Sequence, residues 1–180
     1  MNSQATSLKL STLIDENKIA LRVKEMGREI TKLCQDEELI AVGVLKGSFI
    51  FFADLVRNID ADIKTDFLGC SSYGNAMQSS GEVRLTLDLT NAVAGKNVLL
   101  VEDIVDSGLT MEYLTKTLQA RKPKRIYSAA LLFKPDALKI DYRPDFVGFE
   151  IGNEFVVGYG LDYQGKYRNL PYVAVVGALN

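Results

Sequence analysis

The sequence predicts an α/β fold, in which helices flank a mainly parallel, twisted sheet that carries a small strand-rich hood. Apolar runs of strand length alternate along the chain with segments of helical periodicity, which implies crossovers between parallel strands. The later part of the chain is rich in predicted strands and poor in helices, which predicts the hood. Because the 180 residues contain no repeat or low-complexity linker, we expect a single domain over 1–180, with the hood built from terminal segments.

The first half of the chain carries two helical patterns. Apolar side chains recur at three- and four-residue intervals over 15–34, which predicts an amphipathic helix with Asp15 as its N-cap. The continuous apolar run 39–45 predicts a strand buried on both faces. Residues 49–56 predict a buried helix. Further strands are predicted at 62–68 and, from alternating apolar and polar residues, at 83–89.

The second half of the chain carries one helical pattern. Helical spacing over 110–120 ends before Pro123, which cannot continue a helix. Strands are predicted at 98–101, 125–133, 146–152, 155–157 and 172–179. The polar, glycine-flanked segment 69–81 predicts a long loop, and loops of this length are usually functional or disordered.

Composition excludes several classes of function. The chain has no histidine, which excludes Ser-His-Asp and Cys-His nucleophiles, and its two cysteines form no C-x-x-C pair. A net charge of −2 gives no general attraction to nucleic acid or to anionic membranes. The N-terminal residues lack an apolar signal core, and no apolar run is long enough to cross a bilayer. We therefore expect a cytoplasmic protein with neither a nucleic-acid nor a membrane partner.

The most informative stretch is 98-VLLVEDIVDSGLTM-111, where a buried strand meets acids, a glycine and hydroxyls. In an open parallel sheet, ligands collect at the carboxyl ends of the strands. Residues 106–110 would open the next helix, whose first turn has unpaired N–H groups and attracts anions. Gly108 allows close approach of the backbone, and Ser107 and Thr110 add hydroxyl donors. This combination predicts a phosphate cradle.

Glu102 and Asp103 cannot serve the phosphate, because like charges repel. Carboxylates suit sugar hydroxyls and a hard cation such as Mg²⁺, so the stretch as a whole predicts a phosphorylated sugar as ligand. Ser107 or Asp106 could also cap the helix, which is compatible with binding. A strand ending in Glu-Asp is found in response-regulator receivers as well, but there it lies near the start of the domain. The usual nucleotide loops have no match in the chain.

The stretch resembles the phosphoribosyl-pyrophosphate signature of type I phosphoribosyltransferases. Further segments resemble the hypoxanthine-guanine phosphoribosyltransferases, in order and with matching spacing from about residue 15 onward: 44-VLKGSFIFFADL-55, 72-SY-73, 131-LLFK-134 and 146-FVGFEIGNEFVVGYGLDYQGKYRNLPYV-173. The resemblance implies a magnesium-dependent reaction of a 6-oxopurine with phosphoribosyl pyrophosphate, giving IMP or GMP and pyrophosphate. It also implies a homodimer or homotetramer.

The resemblance assigns most of the sugar-phosphate site. Glu102 and Asp103 would face the ribose hydroxyls, directly or through Mg²⁺. Arg168 would bind the leaving pyrophosphate, since an arginine fork matches phosphate geometry. A cis peptide bond is implied between Leu45 and Lys46. The implied ligands of phosphoribosyl pyrophosphate are Glu102, Asp103, Asp106, Ser107, Gly108, Leu109, Thr110, Lys46, Gly47 and Arg168.

The resemblance also assigns a purine site. Lys134 would donate to the exocyclic O6, Phe155 would stack on the ring and Val156 would offer backbone hydrogen bonds. Asp162 would lie near a second Mg²⁺ and the amino edge of the purine. Asp106 would be the catalytic acid/base at purine N7. The implied metal ligands are Glu102, Asp103 and Asp162.

Residues 69–81, with Ser72 and Tyr73, resemble a lid that closes over the reacting sugar. Taken singly, several residues have ordinary structural interpretations: Lys46 and Lys134 as surface lysines, Phe155 as core, Tyr73 as a loop aromatic and Arg168 as a surface ion pair. Two alternative functions stay open, a transferase that prefers xanthine and a non-catalytic regulator that senses phosphoribosyl pyrophosphate. The chain lacks a helix-turn-helix extension and a large basic excess, which disfavours the regulator.

Overall fold

A computed structural model describes residues 9–34, 37–72 and 83–177. The described strands are β1 (Leu10–Ile14), β2 (Leu39–Leu45), β3 (Lys64–Ser72), β4 (Val83–Leu87), β5 (Asn97–Val105), β6 (Arg125–Phe133), β7 (Phe146–Glu150), β8 (Val156–Val157) and β9 (Val173–Val176). The described helices are α1 (Glu16–Thr31), α2 (Phe49–Val56) and α3 (Leu109–Gln119), with short 3-10 turns at Lys32–Cys34 and Pro135–Ala137.

The central sheet has six strands in the order β4-β3-β2-β5-β6-β7. All neighbours pair in parallel except the edge strand β4, which runs antiparallel to β3. One apolar cluster joins the sheet to α1 and α2, and a second joins the opposite face to α3. Because both faces are covered, β2 is buried along nearly its whole length. The predicted mainly parallel sheet with flanking helices is confirmed.

A second, three-stranded sheet has the order β1-β9-β8, with antiparallel pairing throughout. Its strands come from both ends of the described chain, which is where the sequence placed the hood. That 1–180 form a single domain stays a prediction, for which one cooperative unfolding transition would be the test.

Several element boundaries differ from the prediction, among them those of β5, β3 and α1. Strand β5 continues to Val105 instead of ending at residue 101, so Glu102 and Asp103 lie inside it. Strand β3 continues to Ser72, so residues 69–72 of the predicted lid belong to the sheet. Helix α1 ends at Thr31, and at its start Oδ1 of Asp15 accepts from the N–H of Lys18 at 3.0 Å, as the N-cap prediction requires.

Two predicted burial patterns are wrong at single residues. Phe49 opens the supposedly buried helix α2 but is 44% exposed, whereas Phe51 and Phe52 are buried. Leu87 is 47% exposed although the alternation placed it with Leu85 on a buried face. The register of β3 and β4 shifts at Gly69, and this irregularity breaks the period-two pattern beside Leu87.

Candidate active site

A phosphate-sized recess lies where β5 passes into α3. Its volume is about 80 Å³, and the predicted loop residues Asp106, Ser107, Gly108 and Thr110 line it. Gly108 is the N-cap of α3 with φ +81°, and a Cβ there would lie 2.9 Å from Cγ1 of Ile140. Only glycine satisfies both the left-handed backbone and this close packing. The recess thus opens onto the N–H groups of the first turn, as the phosphate prediction requires.

A second cleft, of about 270 Å³, adjoins this recess and shares Asp106 with it. Its lining is Asp103, Ile104, Asp106, Lys134, Phe155, Val156, Leu161 and Asp162. The fold therefore brings together six residues that the sequence assigned to the base, the sugar or a metal. They come from β5, from the end of β6 and from the segment that forms the hood.

Lys134 and Asp106 meet inside this cleft. Strands β5 and β6 are in register at Val105 and Phe133, and the N–H of Lys134 donates to the carbonyl of Val105 at 2.9 Å. Both side chains therefore leave neighbouring strand ends, and Nζ of Lys134 lies 3.2 Å from Oδ2 of Asp106. The Lys134 side chain is only 8% exposed, whereas that of Asp106 is 56% exposed. Lys134 is thus a buried, paired cation and not a surface lysine.

Phe155 is an exposed aromatic at the mouth of the cleft. Its exposure is 53%, which excludes the interpretation as a core residue. The ring contacts Tyr163 edge-on at 5.8 Å between centroids, so one face stays available to a planar ligand. Its backbone is fixed, because the carbonyl of Phe155 accepts from the N–H of Val176 at 2.9 Å and Val156 pairs with Val175.

Gly47 lies directly against Asp103. A Cβ at Gly47 would lie 1.7 Å from Oδ2 of Asp103, so the turn after β2 touches the acidic end of β5. The peptide bond between Leu45 and Lys46 is cis, as the resemblance implied. Lys46 itself is exposed beside this contact.

Asp162 and Arg168 are paired with each other. Nη2 of Arg168 lies 2.6 Å from Oδ1 of Asp162, and its Nη1 donates to the carbonyl of Gly160 at 2.6 Å. The N–H of Gly165 donates to the other oxygen of Asp162. Asp162 lines the cleft, but Arg168 stands behind it and is not among the lining residues. To reach a pyrophosphate, the guanidinium would have to exchange the carboxylate for the ligand.

Glu102 precedes Asp103 in β5, and both residues are nearly buried, at 9% and 8% exposure. Among the described residues, Oε2 of Glu102 has no hydrogen-bond partner. Burial, together with the charge of neighbouring Asp103, raises the pKa of Glu102 well above its ordinary value. Asp103 is among the residues that line the cleft, whereas Glu102 is not.

The described ranges contain no group of three or more His, Cys, Asp or Glu side chains that could hold a metal ion. Mg²⁺ is often bound by one or two carboxylates together with substrate oxygens, so the acids present fit an ion shared with a ligand. The unpartnered oxygen of Glu102 next to Asp103 is compatible with such an ion. Asp162 would be the acid for a second one.

The predicted lid is described only at its start. Ser72 is the last residue of β3, and Tyr73 lies outside the described residues.

Sequence reasoning missed three contacts that shape the site. They are the packing of Ile140 on Gly108, the edge contact of Tyr163 with Phe155, and a hydrogen bond from Tyr159 to Asp54. The last joins residues 105 positions apart, and no local pattern signals such a pair. For the contact of Tyr163 with Phe155, the sequence offered one signal. Tyr163 is an aromatic residue directly after Asp162, which was a predicted site residue.

Comparison with known proteins decides the family. The family profile described as the phosphoribosyl transferase domain matches residues 10–164. The chain belongs to the phosphoribosyltransferase family. It is 51% identical over 164 residues to the hypoxanthine-guanine phosphoribosyltransferase of Bacillus subtilis, covering 91% of each chain. To the hypoxanthine phosphoribosyltransferase of Haemophilus influenzae it is 43% identical, covering 93% of this chain and 95% of that one.

Solved structures agree with this phosphoribosyltransferase assignment. A crystal structure of a hypoxanthine-guanine phosphoribosyltransferase from Bacillus anthracis superposes with a TM-score of 0.89 at 45% identity, covering 95% of this chain and all of that one. A Trypanosoma cruzi hypoxanthine phosphoribosyl transferase superposes with a TM-score of 0.88 at 36% identity, covering 95% and 93% of the two chains. For that protein a role of the C-terminal region in oligomeric state and enzymatic activity is described. Within the described ranges, this chain has no helix that is long and apolar enough to cross a membrane.

Proposed function

We propose that this phosphoribosyltransferase serves purine salvage, moving the 5-phosphoribosyl group from phosphoribosyl pyrophosphate to hypoxanthine or guanine. The observation that carries the proposal is the contact of Lys134 with Asp106 in a cleft that shares Asp106 with the phosphate recess. One acid thereby faces both the sugar phosphate and the base. The Bacillus subtilis relative is named for hypoxanthine and guanine, and the Haemophilus influenzae relative for hypoxanthine.

Lys134 supplies the selectivity for 6-oxopurines. Its ammonium carries only donors, so it pairs with an O6 acceptor and leaves the 6-amino group of adenine unpaired. The Lys134 side chain is only 8% exposed, so its ammonium cannot form a replacement hydrogen bond with water when the base offers no acceptor. Sites that hydrogen-bond a substrate group in this way reject analogues lacking it strongly. Phe155 would stack on the ring from the mouth of the cleft.

Asp106 is placed to manage the proton of the base. Its carboxylate is half exposed to the cleft and already holds the ammonium of Lys134. When Lys134 turns to O6, the purine edge brings N7 next to O6 and so beside Asp106. The carboxylate then shares or accepts the N7 proton as N9 attacks the anomeric carbon C1′. Pyrophosphate leaves C1′ with the bonding electron pair.

The remaining residues bind and orient the sugar and the leaving group. The 106–110 turn holds the 5′-phosphate through N–H groups of α3, and Asp103 faces the ribose hydroxyls. Mg²⁺ at Glu102 and Asp103, and at Asp162, would neutralise charge that develops on the leaving pyrophosphate. Lys46 and Gly47 line the pyrophosphate side, and Arg168 joins them after release from Asp162.

We also propose a cytoplasmic homodimer or homotetramer. Both cysteines, Cys34 and Cys70, are free, which fits a reducing compartment. Large apolar side chains are exposed on the β3–β4 edge of the sheet: Phe67 by 36% and Leu87 by 47%. A second copy of the chain could cover this edge. Sedimentation equilibrium tests the assembly, and a monomer at micromolar concentration would contradict it.

The test of function is an assay of each purine with Mg²⁺ and phosphoribosyl pyrophosphate, reading nucleotide and pyrophosphate formation. We expect turnover with hypoxanthine, guanine or both, and none with adenine. Turnover confined to xanthine would favour the xanthine alternative. Binding of phosphoribosyl pyrophosphate without turnover on any base would favour the non-catalytic regulator. A crystal soaked with IMP tests the geometry, since its phosphate must lie at residues 106–110.

A further inference from the structure

The 158–170 loop folds back on itself behind the cleft. The N–H of Tyr159 donates to the carbonyl of Leu170 at 2.8 Å, and the N–H of Gly160 donates to the carbonyl of Arg168 at 2.9 Å. The guanidinium of Arg168 returns a bond to the carbonyl of Gly160 at 2.6 Å. The position of Gly160 therefore fixes the position of Arg168, the residue expected to meet pyrophosphate.

This loop is stacked on the pyrophosphate side of the site through two glycines. A Cβ at Gly160 would lie 2.1 Å from the carbonyl oxygen of Gly47, and a Cβ at Gly47 would lie 1.7 Å from Oδ2 of Asp103. The loop thus lies against the backbone of the turn, and the turn lies against the side chain of Asp103 on β5. A shift of the loop away from the turn would remove the support of Gly47, which contacts the cleft residue Asp103.

One side-chain hydrogen bond ties the loop to helix α2. The hydroxyl of Tyr159 donates to Oδ2 of Asp54 at 2.6 Å, and Tyr159 is only 6% exposed. Burial and this carboxylate raise the pKa of Tyr159 far above its ordinary value, so it remains a donor. Helix α2 begins two residues after Gly47, so the bond holds the loop to the element that follows the turn. The other oxygen of Asp54 pairs with Arg57.

The backbone of Tyr159 needs such a tether. Its φ is +49°, in the left-handed region, which costs a non-glycine residue about 1 kcal/mol or more. Residues held there persist only where the surroundings fix them. The hydrogen bond to Asp54 is a part-buried, charge-assisted contact and belongs to the stronger kind.

We infer that Tyr159 and Asp54 are positioning residues, which hold the 158–170 loop on Gly47 and thereby set the pyrophosphate end of the phosphoribosyl-pyrophosphate site. Neither side chain lines the cleft or the phosphate recess; together they line a separate cavity behind the loop. This inference rests on the proposed function, because it names residues for the binding of that substrate.

The experiment compares Tyr159→Phe and Asp54→Ala with the wild type in steady-state kinetics. We expect each variant to raise KM for phosphoribosyl pyrophosphate and Ki for pyrophosphate by about fivefold or more. KM for hypoxanthine should stay within about twofold. The double variant should be no worse than either single one, because both remove the same bond. Asp54→Asn, which keeps an acceptor, should fall between Asp54→Ala and the wild type.

Two matched controls separate positioning from general destabilisation. Arg57→Ala removes the other partner of Asp54 and should leave both KM values within about twofold of wild type. Tyr127→Phe removes a tyrosine hydroxyl on β6, outside the 158–170 loop, and should also leave both KM values near those of the wild type. If Tyr159→Phe and Asp54→Ala lower the melting temperature while KM for phosphoribosyl pyrophosphate is unchanged, the inference is overturned. An equal rise in both KM values overturns it as well.

Failure of the inference and failure of the proposed function give different results. If the wild type turns over a purine but the variants keep its KM for phosphoribosyl pyrophosphate, only the inference fails. If the wild type turns over no purine, the proposed function fails, and calorimetric binding of phosphoribosyl pyrophosphate to the same variants then tests the inference. Should Tyr159→Phe not fold, Asp54→Ala alone decides.

Discussion

Nζ of Lys134 lies 3.2 Å from Oδ2 of Asp106, at the carboxyl ends of two neighbouring parallel strands. The pair places one donor and one acceptor side by side, and the O6–N7 edge of a 6-oxopurine requires this arrangement. Without a base, each group satisfies the other, so neither a buried ammonium nor its partner is left alone. A bound base would replace the contact between Lys134 and Asp106 by two hydrogen bonds, one from Lys134 to O6 and one from N7–H to Asp106.

Replacing Asp106 by asparagine should reduce kcat by about 100-fold or more, because an amide cannot accept the N7 proton. Calorimetry should still detect phosphoribosyl pyrophosphate, since the N–H groups of α3 remain. Asp60→Asn, at an exposed acid after α2, is the control and should leave kcat unchanged. Unchanged turnover in Asp106→Asn would remove the acid/base role.

Lys134→Ala should raise KM for hypoxanthine and guanine by about tenfold or more, since it deletes a charged donor to O6. It should leave KM for phosphoribosyl pyrophosphate within about twofold. Adenine tests selectivity, because the loss of Lys134 removes the mismatch with a 6-amino group. The exposed Lys116→Ala serves as control. Equal losses for both substrates would count against the assignment of Lys134 to the base.

Gly47→Ala should abolish most activity, because its methyl group would lie 1.7 Å from Oδ2 of Asp103 and displace the turn or the acid. Gly95→Ala is a suitable control: its φ is +71°, but its Cβ would meet nothing within 4 Å among the described residues. It should lower stability by about 1 kcal/mol and spare KM. Kinetics and thermal melts on both variants separate strain from a blocked site. Wild-type kinetics in Gly47→Ala would be incompatible with the described contact.

Asp66→Asn should destabilise the fold by about 2 kcal/mol or more. Burial opposes ionisation of Asp66, but hydrogen bonds from Asn91, Phe67 and Thr90 outweigh it and hold its pKa below the ordinary value of 3.8. An amide would set donors against some of these N–H groups.

The pH dependence of this effect has a definite sign. Because the folded pKa of Asp66 lies below the unfolded one, its carboxylate stabilises the fold fully above about pH 5, and the stabilisation fades as pH falls through the folded pKa. Urea unfolding followed by circular dichroism gives the free energy of unfolding of wild type and of Asp66→Asn. The difference between the two values should be constant from about pH 8 to about pH 5 and should become smaller below about pH 4. If the difference in free energy of unfolding became larger at acidic pH, the lowered pKa of Asp66 would be contradicted.

Much of the fold followed from local patterns. The strand at 125–133 was predicted to the residue, because it ends in the apolar run 129–133 and lies between Pro123 and Pro135. The shape of the turn at 106–110 was predictable from contiguous residues, namely its glycine, its hydroxyls and the start of α3. Strand ends were less certain: β5 continues through Glu102 and Asp103, and charged residues inside a strand carry no signal that the strand goes on.

Contacts between distant residues could not be predicted from the sequence. The burial of Glu102 depends on the elements that pack against β5, and these come from distant parts of the chain. Arg168 was assigned to a ligand, but the fold pairs it with Asp162. Both outcomes depend on tertiary packing.

The position of β9 also has a consequence during synthesis. This strand lies between β1 and β8, and it holds the backbone of Phe155 and Val156 through Val175 and Val176. A nascent chain that has folded its six-stranded sheet would still lack the base platform until residues 173–176 had left the ribosome. The recess at 106–110 is lined by none of these residues, so a stalled chain could already bind a phosphate group there before it could accept a purine.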